Sequence, residues 1–270
     1  MLIPVTTSAE VHWFCEGPIP ESLMIWFKRS KLMFEDSKHD YLYLAFNHAT
    51  PVGFALREGS LDVESLQKSS DPHRFTECTQ ARIRLWLKWS HEASKLDEDV
   101  RALFEHDRWV KVREQRRLRK FSLDQGKLSE VRGNDPSPQT ACHIELTNLE
   151  LGARKFWSFG FESFGHANQV ADTLRTVSAY CFSERDSPLK RSLNGAQSLP
   201  YPEWILSVRP RLSQSSSNRD GGTISTRTQL VSNARRQLND IRGELLEDLT
   251  HKYDRSLSKE ELGAIIGRKI

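Results

Sequence analysis

Charged residues recur at alternate positions along several short apolar stretches of this 270-residue chain. Arg82, Arg84 and Lys88 alternate with Ile83, Leu85 and Leu87, and Lys111 and Arg113 with Val110 and Val112. His143, Glu145 and Thr147 alternate with Ile144 and Leu146, and Glu162 shares a face with Gly160 between Phe159 and Phe161. Glu10 and His12 begin the series, and Phe54-Ala55-Leu56-Arg57 adds another base. Successive side chains in a strand point to opposite faces, so each set occupies one face. A single strand of this kind is an ordinary half-buried strand with its polar side in water. A succession of them, bases on some strands and acids on others, suits the inside of a closed sheet. Arg57, Arg84, Lys88, Lys111 and Arg113, with His12, would grip phosphate oxygens there. Glu10, Glu145 and Glu162 would hold a hard divalent ion through oxygen ligands, and Glu145 and Glu162 would orient water for attack on a phosphoanhydride. Closure is required, because so many charges are costly to bury without partners or solvent.

The elements that must position these residues are mostly strands. Ala9 to Phe14 alternates as a strand, followed after Pro18-Ile19-Pro20 by a short helix with Leu23, Trp26 and Phe27 on one face. Tyr41–Leu44, Gly53–Glu58, Leu61–Leu66 and Arg82–Ser90 read as strands, with a turn at Glu58-Gly59. Ser94-Lys95-Leu96-Asp97 resembles a capping box and opens a helix carrying Leu96, Val100, Leu103 and Phe104. Trp109–Phe121 is a long strand that turns at Gln125-Gly126 into Leu128–Arg132. Cys142–Leu149 and Lys155–Phe161 follow around Leu151-Gly152, and a helix over His166–Phe182 presents Val170, Leu174, Val177 and Cys181. Strands outnumber helices and are joined by short turns, which predicts an α+β fold: a closed antiparallel β-barrel with flanking helices.

Three regions are expected: a tunnel domain over residues 1–185, a Ser/Pro-rich linker over 186–223, and a helical extension over 224–270. Within the linker the aromatic segment 200–206 is expected to dock back on the domain. In the extension Val231, Leu238 and Leu245 fall at heptad spacing, suited to packing on the domain or to self-association through residues 226–250.

Composition narrows the function classes. No apolar run approaches the roughly 20 residues a membrane span needs, and no secretory signal opens the chain. The four cysteines are scattered without a Cys-x-x-Cys pair, and the nine histidines show no ligand spacing, which argues against a zinc site and for reduced thiols in a cytoplasmic protein. No glycine-rich phosphate loop is present. A net charge of +3 does not by itself imply nucleic acid. The run Arg113-Glu114-Gln115-Arg116-Arg117-Leu118-Arg119-Lys120 is read as a solvated basic edge, or alternatively as a footprint for RNA.

Taken in order, Glu10-x-His12-Trp13-Phe14, Leu56-Arg57-Glu58-Gly59, Lys88-Trp89, Trp109-x-Lys111-x-Arg113, Cys142–Thr147 and Trp157–Gly165 resemble the CYTH-like, or triphosphate tunnel, family over roughly residues 5–182. The resemblance implies a closed antiparallel barrel around a charged tunnel. It also implies a triphosphate-containing substrate such as polyphosphate or a nucleotide, with magnesium or manganese as cofactor. The family's Glu-x-Glu-x-Lys first-strand signature is here Ser8-x-Glu10-x-His12, without one acid and the lysine. Leu61-Asp62-Val63-Glu64 ends in an acid where a lysine is usual, and Ala55 stands in place of a base. The expected function is therefore a divergent tunnel protein that binds a phosphorylated anion, polyphosphate or nucleotide, with metal-dependent hydrolysis of triphosphate left open as a further step. Its alternative is a scaffold that keeps the barrel, binds polyanion or RNA without turnover, and recruits partners through its C-terminal helices.

Overall fold

A computed structural model describes residues 6–29, 34–45, 51–92, 109–133, 135–138, 140–185 and 187–209. The expected helix near Ser94 and the helical extension over 224–270 lie outside the described residues.

Ten strands run in chain order as β1 (Thr6–Glu16), β2 (Glu35–Leu44), β3 (Val52–Arg57), β4 (Ser60–Arg74), β5 (Gln80–Glu92), β6 (Trp109–Asp124), β7 (Lys127–Val131), β8 (Ala141–Leu151), β9 (Arg154–Phe164) and β10 (Gln197–Ser198). Eight of them close into an antiparallel barrel in the order β1-β5-β4-β3-β2-β6-β8-β9, with β9 pairing back on β1. β7 adds to β6 and β10 to β1 outside the ring. Tight turns set the register. Glu58-Gly59 and Gln125-Gly126 both hold positive φ at two successive residues, the backbone of a two-residue hairpin turn that matches strand twist. Among the described residues four helices accompany the barrel: α1 (Glu21–Lys28), α2 (Val170–Ser183), α3 (Leu189–Ser192) and α4 (Tyr201–Val208).

The apolar residues of three adjacent strands face outward. Val11 and Trp13 of β1, Ile144 and Leu146 of β8, and Phe159 and Phe161 of β9 join Leu23, Trp26 and Phe27 of α1 and Leu174, Val177 and Phe182 of α2 in one buried cluster. Fully burying each such side chain is worth about 1.5–3 kcal/mol, so this layer dominates the stability of the fold. It also leaves the intervening polar residues only one direction, into the barrel. A smaller cluster fills one end of the barrel: Phe14, Val112, Leu149, Leu151 and Phe156 pack against Trp204 and Ile205 of α4. The aromatic segment of the linker is this helix, and Trp204 stacks on Phe14 at 4.7 Å and 9°.

Candidate functional site

On β1, β8 and β9 the inward positions fall in register. Glu10 stands opposite Glu162, which stands opposite His143; His12 stands opposite Gly160, which stands opposite Glu145. Gly160 is what lets the second row work. A Cβ there would overlap the His12 ring, so only glycine allows the imidazole to lie across β9 toward β8. His12 Nε2 consequently reaches within 3.6 Å of a Glu145 oxygen, and Nδ1 lies 4.0 Å from Glu10.

Lys88 of β5 enters the same space. Its ammonium pairs with Glu10, donates to Glu162 Oε1 at 2.8 Å and lies 3.9 Å from Glu64 of β4. Across the barrel, Arg116 lies 3.6 Å from Glu145, and Tyr43 donates to Glu114 at 2.8 Å. Arg57 donates to the Tyr41 hydroxyl at 2.7 Å and lies 3.8 Å from Asp62. These groups line a chamber of about 260 Å³. Six carboxylates face it (Glu10, Asp62, Glu64, Glu114, Glu145 and Glu162), against Arg57, Lys88, Arg116 and His12.

Burial and neighbouring charge set the protonation states. Burial pushes Glu64 and Glu114 up to about 7. Burial also raises Glu10 against the pull of Lys88. For Glu162 the desolvation penalty is overridden by Lys88, so its carboxyl sits well below the usual range. Glu145 is likewise lowered, its burial outweighed by Arg116 and His12. Burial opposes the His12 imidazolium, yet the carboxylates of Glu145, Glu10 and Glu162 raise it overall. Glu64 and Glu114 are half-protonated near neutrality, so the six carboxylates carry less negative charge than their number implies. Polar atoms of two lining residues remain without hydrogen bonds, His12 Nε2 and Arg116 Nε. Buried groups of this kind ordinarily find a partner, so they mark where water or ligand would bind.

Of the nine residues expected from sequence, six converge here: Glu10, His12, Arg57, Lys88, Glu145 and Glu162. Arg84 shares the Lys88 face of β5 but does not line the chamber; it donates to the Arg82 carbonyl at 3.4 Å and feels Glu203 of α4. Lys111 and Arg113 lie outside the barrel, not inside as expected. They are 59% and 64% exposed and both pair with Asp40, while Arg113 also reaches Glu150. The expectation took charge as the mark of the inner face. At this end the inner face is apolar because α4 fills it, so Val112 points in and its charged neighbours point out. Glu114, Arg116, Tyr41, Tyr43 and Glu64 line the chamber as well, none of them expected there: Glu114 and Arg116 are read from sequence as part of a basic edge, and Glu64 only as a departure from a lysine. The signal for the first two was the buried Val112, whose parity they share.

The basic run on β6 is likewise not a continuous footprint. Arg117 pairs with Asp36, Arg119 with Glu130, Lys120 with Glu35, and Arg116 faces the chamber. No helix among the described residues is long and apolar enough to cross a membrane.

Carboxylate oxygens are the donors a hard divalent ion takes, but among the described residues no three acidic, histidine or cysteine side chains stand so that they could hold one as they are. The Lys88 ammonium stands among the carboxylates, a cation held by Glu10, Glu162 and Glu64. That Glu10, Glu64 and Glu162 already hold one cation shows that this donor set accepts positive charge.

No protein-family model matches the chain, and no curated protein does. Among solved structures it is similar to the PH1819 protein from Pyrococcus horikoshii OT3, at 14% identity and a TM-score of 0.38, over 75% of this chain and 99% of that one. It is also similar to the S. pombe Pct1 RNA triphosphatase, solved in complex with the Spt5 CTD, at 9% identity and a TM-score of 0.24, over 69% of this chain and 80% of that one. At these scores neither says what this chain does; the barrel is established by its own strand pairing.

Proposed function

We propose that the chamber binds the phosphorylated end of an anion together with a divalent cation. The observation that carries this reading is the hold of three carboxylates, Glu10, Glu162 and Glu64, on the Lys88 ammonium. A phosphate chain carries several negative charges, and in a chamber already lined by six carboxylates it would meet too little positive charge to neutralise it. A divalent ion entering with the phosphate supplies the missing positive charge and frees Lys88 from its three carboxylates. Glu10, Glu145 and Glu162 would hold the ion, magnesium or manganese, which on binding would neutralise phosphate charge and polarise the phosphoryl group. Lys88, Arg57, Arg116 and His12 would then contact phosphate oxygens. The resemblance of the strand motifs to the triphosphate tunnel family supports the same ligand class.

A second reading, hydrolysis, is favoured by the His12–Glu145 pair. Glu145, kept ionised, would orient a water toward the terminal phosphorus, and His12 would donate to a phosphoryl oxygen. The water oxygen would bond to phosphorus as the anhydride P–O bond breaks, yielding orthophosphate and a shortened chain.

Calorimetry with tripolyphosphate tests binding: heat with magnesium or manganese present and none without it is the expected result. Binding of equal strength in a chelator would overturn the reading. Phosphate release that Glu145→Gln abolishes would establish hydrolysis; binding without release would leave a binding protein.

A further inference from the structure

The inner surface of the barrel is not the same at its two ends. At one end α4 is built into the wall. Tyr201 stacks on Tyr43 at 5.7 Å, meets the edge of His12 at 5.4 Å, and places its hydroxyl 3.3 Å from Ser158 Oγ. Pro202 presses on Gly53, where a Cβ would come within 2.8 Å of the proline ring. Trp204 and Ile205 anchor the helix at 2% and 1% exposure, which makes it a fixed floor rather than a mobile strap. The side chains of the chamber grade in exposure away from that floor. His12 and Glu145 beside Tyr201 are 6% and 5% exposed, whereas Lys88, Arg57 and Asp62 are 30%, 31% and 29% exposed. The volume of about 260 Å³ falls below the roughly 300–1,000 Å³ of pockets that enclose drug-sized ligands. It suits a few phosphate groups and not a whole nucleotide.

We infer that Tyr201 and Pro202 are specificity-determining residues: they turn the tunnel into a blind chamber that accepts only the terminus of a linear phosphate chain, inserted end-on from the Arg57–Asp62 side. This rests on the phosphate-binding reading above and adds direction and length to it. A chain cannot thread through, a ring has no terminus to insert, and the fraction of a long chain that contacts protein is fixed by the depth of the chamber.

The test uses the full chain with magnesium in 0.15 M salt, where surface attraction is largely screened. Three probes are compared by calorimetry: linear tripolyphosphate, cyclic trimetaphosphate, and linear polyphosphate fractions of increasing length. Tripolyphosphate is expected to bind one to one, and trimetaphosphate at least tenfold more weakly. The long chains should take up at most two protein molecules each, whatever their length. Tyr201→Ala, which leaves Trp204 and Ile205 in place, should shift the tightest-binding linear oligomer to a longer one. If tripolyphosphate binds but longer chains load protein in proportion to their length, or trimetaphosphate binds equally well, the end-on inference is overturned and the phosphate reading stands. An unchanged length preference in Tyr201→Ala removes the role given to Tyr201. Failure of every linear probe to bind overturns both.

Discussion

Two walls of the same barrel follow opposite rules. In the wall of β1, β8 and β9 the outer face is apolar and lies under α1 and α2, so the polar residues point inward. In β6, at the end beside α4, the inner face carries Val112 and the outer face carries Lys111 and Arg113 in water. The difference shows that alternation fixes which residues share a face, while packing outside the sheet decides which face is the inner one. A charge on the first wall is buried among other charges and cannot be lost cheaply. A charge on the second is one member of a screened surface pair and contributes little.

The largest effect is expected at Lys88, which reaches from β5 to the inward carboxylates of the first wall, Glu10 and Glu162. Lys88→Met leaves Glu10, Glu162 and Glu64 facing one another without their shared cation. Removing one partner of a fully buried charge cluster costs about 3–5 kcal/mol; with Lys88 30% exposed the loss should fall at or below the low end of that range, and the variant should unfold at lower denaturant. Magnesium should restore part of the loss, since a divalent ion can take the place of the ammonium. A variant as stable as the parent would mean that the cluster is solvated and the contrast between the walls is false.

Glu114 tests the chamber through pH. Its carboxyl titrates near 7 in the folded protein, pushed up by burial, against 4.5 when unfolded. The folded state therefore holds this proton more tightly. The stability it contributes is complete below pH 4.5 and is lost as pH rises to about 7, by about 3 kcal/mol for a shift of this size. Glu114→Gln keeps an acceptor for the Tyr43 hydroxyl and removes the titration. The variant should lack that decline and be more stable than the parent at pH 8. Parallel stability profiles between pH 4.5 and 7 would show that Glu114 is not desolvated.

Gly160→Ala is a smaller change with a specific reading. The added methyl would displace the His12 ring from its position over β9, and overpacking of this kind costs about 1–3 kcal/mol. Binding of magnesium tripolyphosphate should fall more than stability does, because the ring is moved away from Glu145. Loss of stability with unchanged affinity would separate His12 from the ligand.

These sites mark how far the sequence could be read. The barrel was legible because apolar residues alternate cleanly in β1, β8 and β9 and X-Gly turns punctuate the hairpins. Glu10, His12, Glu145 and Glu162 followed, since each is flanked by aromatic or aliphatic residues with an evident core face. β6 offered no such contrast: from Lys111 to Lys120 both faces carry charge, and the deciding neighbour, α4, lies about 90 residues further along the chain. Nor could spacing show that Gly160 opens a path between two strands, because that depends on registers with β1 and β8 that only the closed sheet defines.

The smallest effect is expected at Lys111 and Arg113, and it is the sharpest check on the comparison. Both residues carry formal charges like that of Lys88, and both have carboxylate partners at comparable distances, Lys111 lying 2.6 Å from Asp40. If charge alone governed, Lys111→Ala and Lys88→Met would be similar. Exposure makes them differ, because water and salt already stabilise a surface ammonium and the pair adds little to that. Lys111→Ala, and the double variant with Arg113→Ala, should leave the unfolding midpoint unchanged within the scatter of the measurement. Their affinity for magnesium tripolyphosphate should stay within twofold of the parent. A tenfold loss of affinity would place the ligand on the outer face of β6 and move the site out of the chamber altogether.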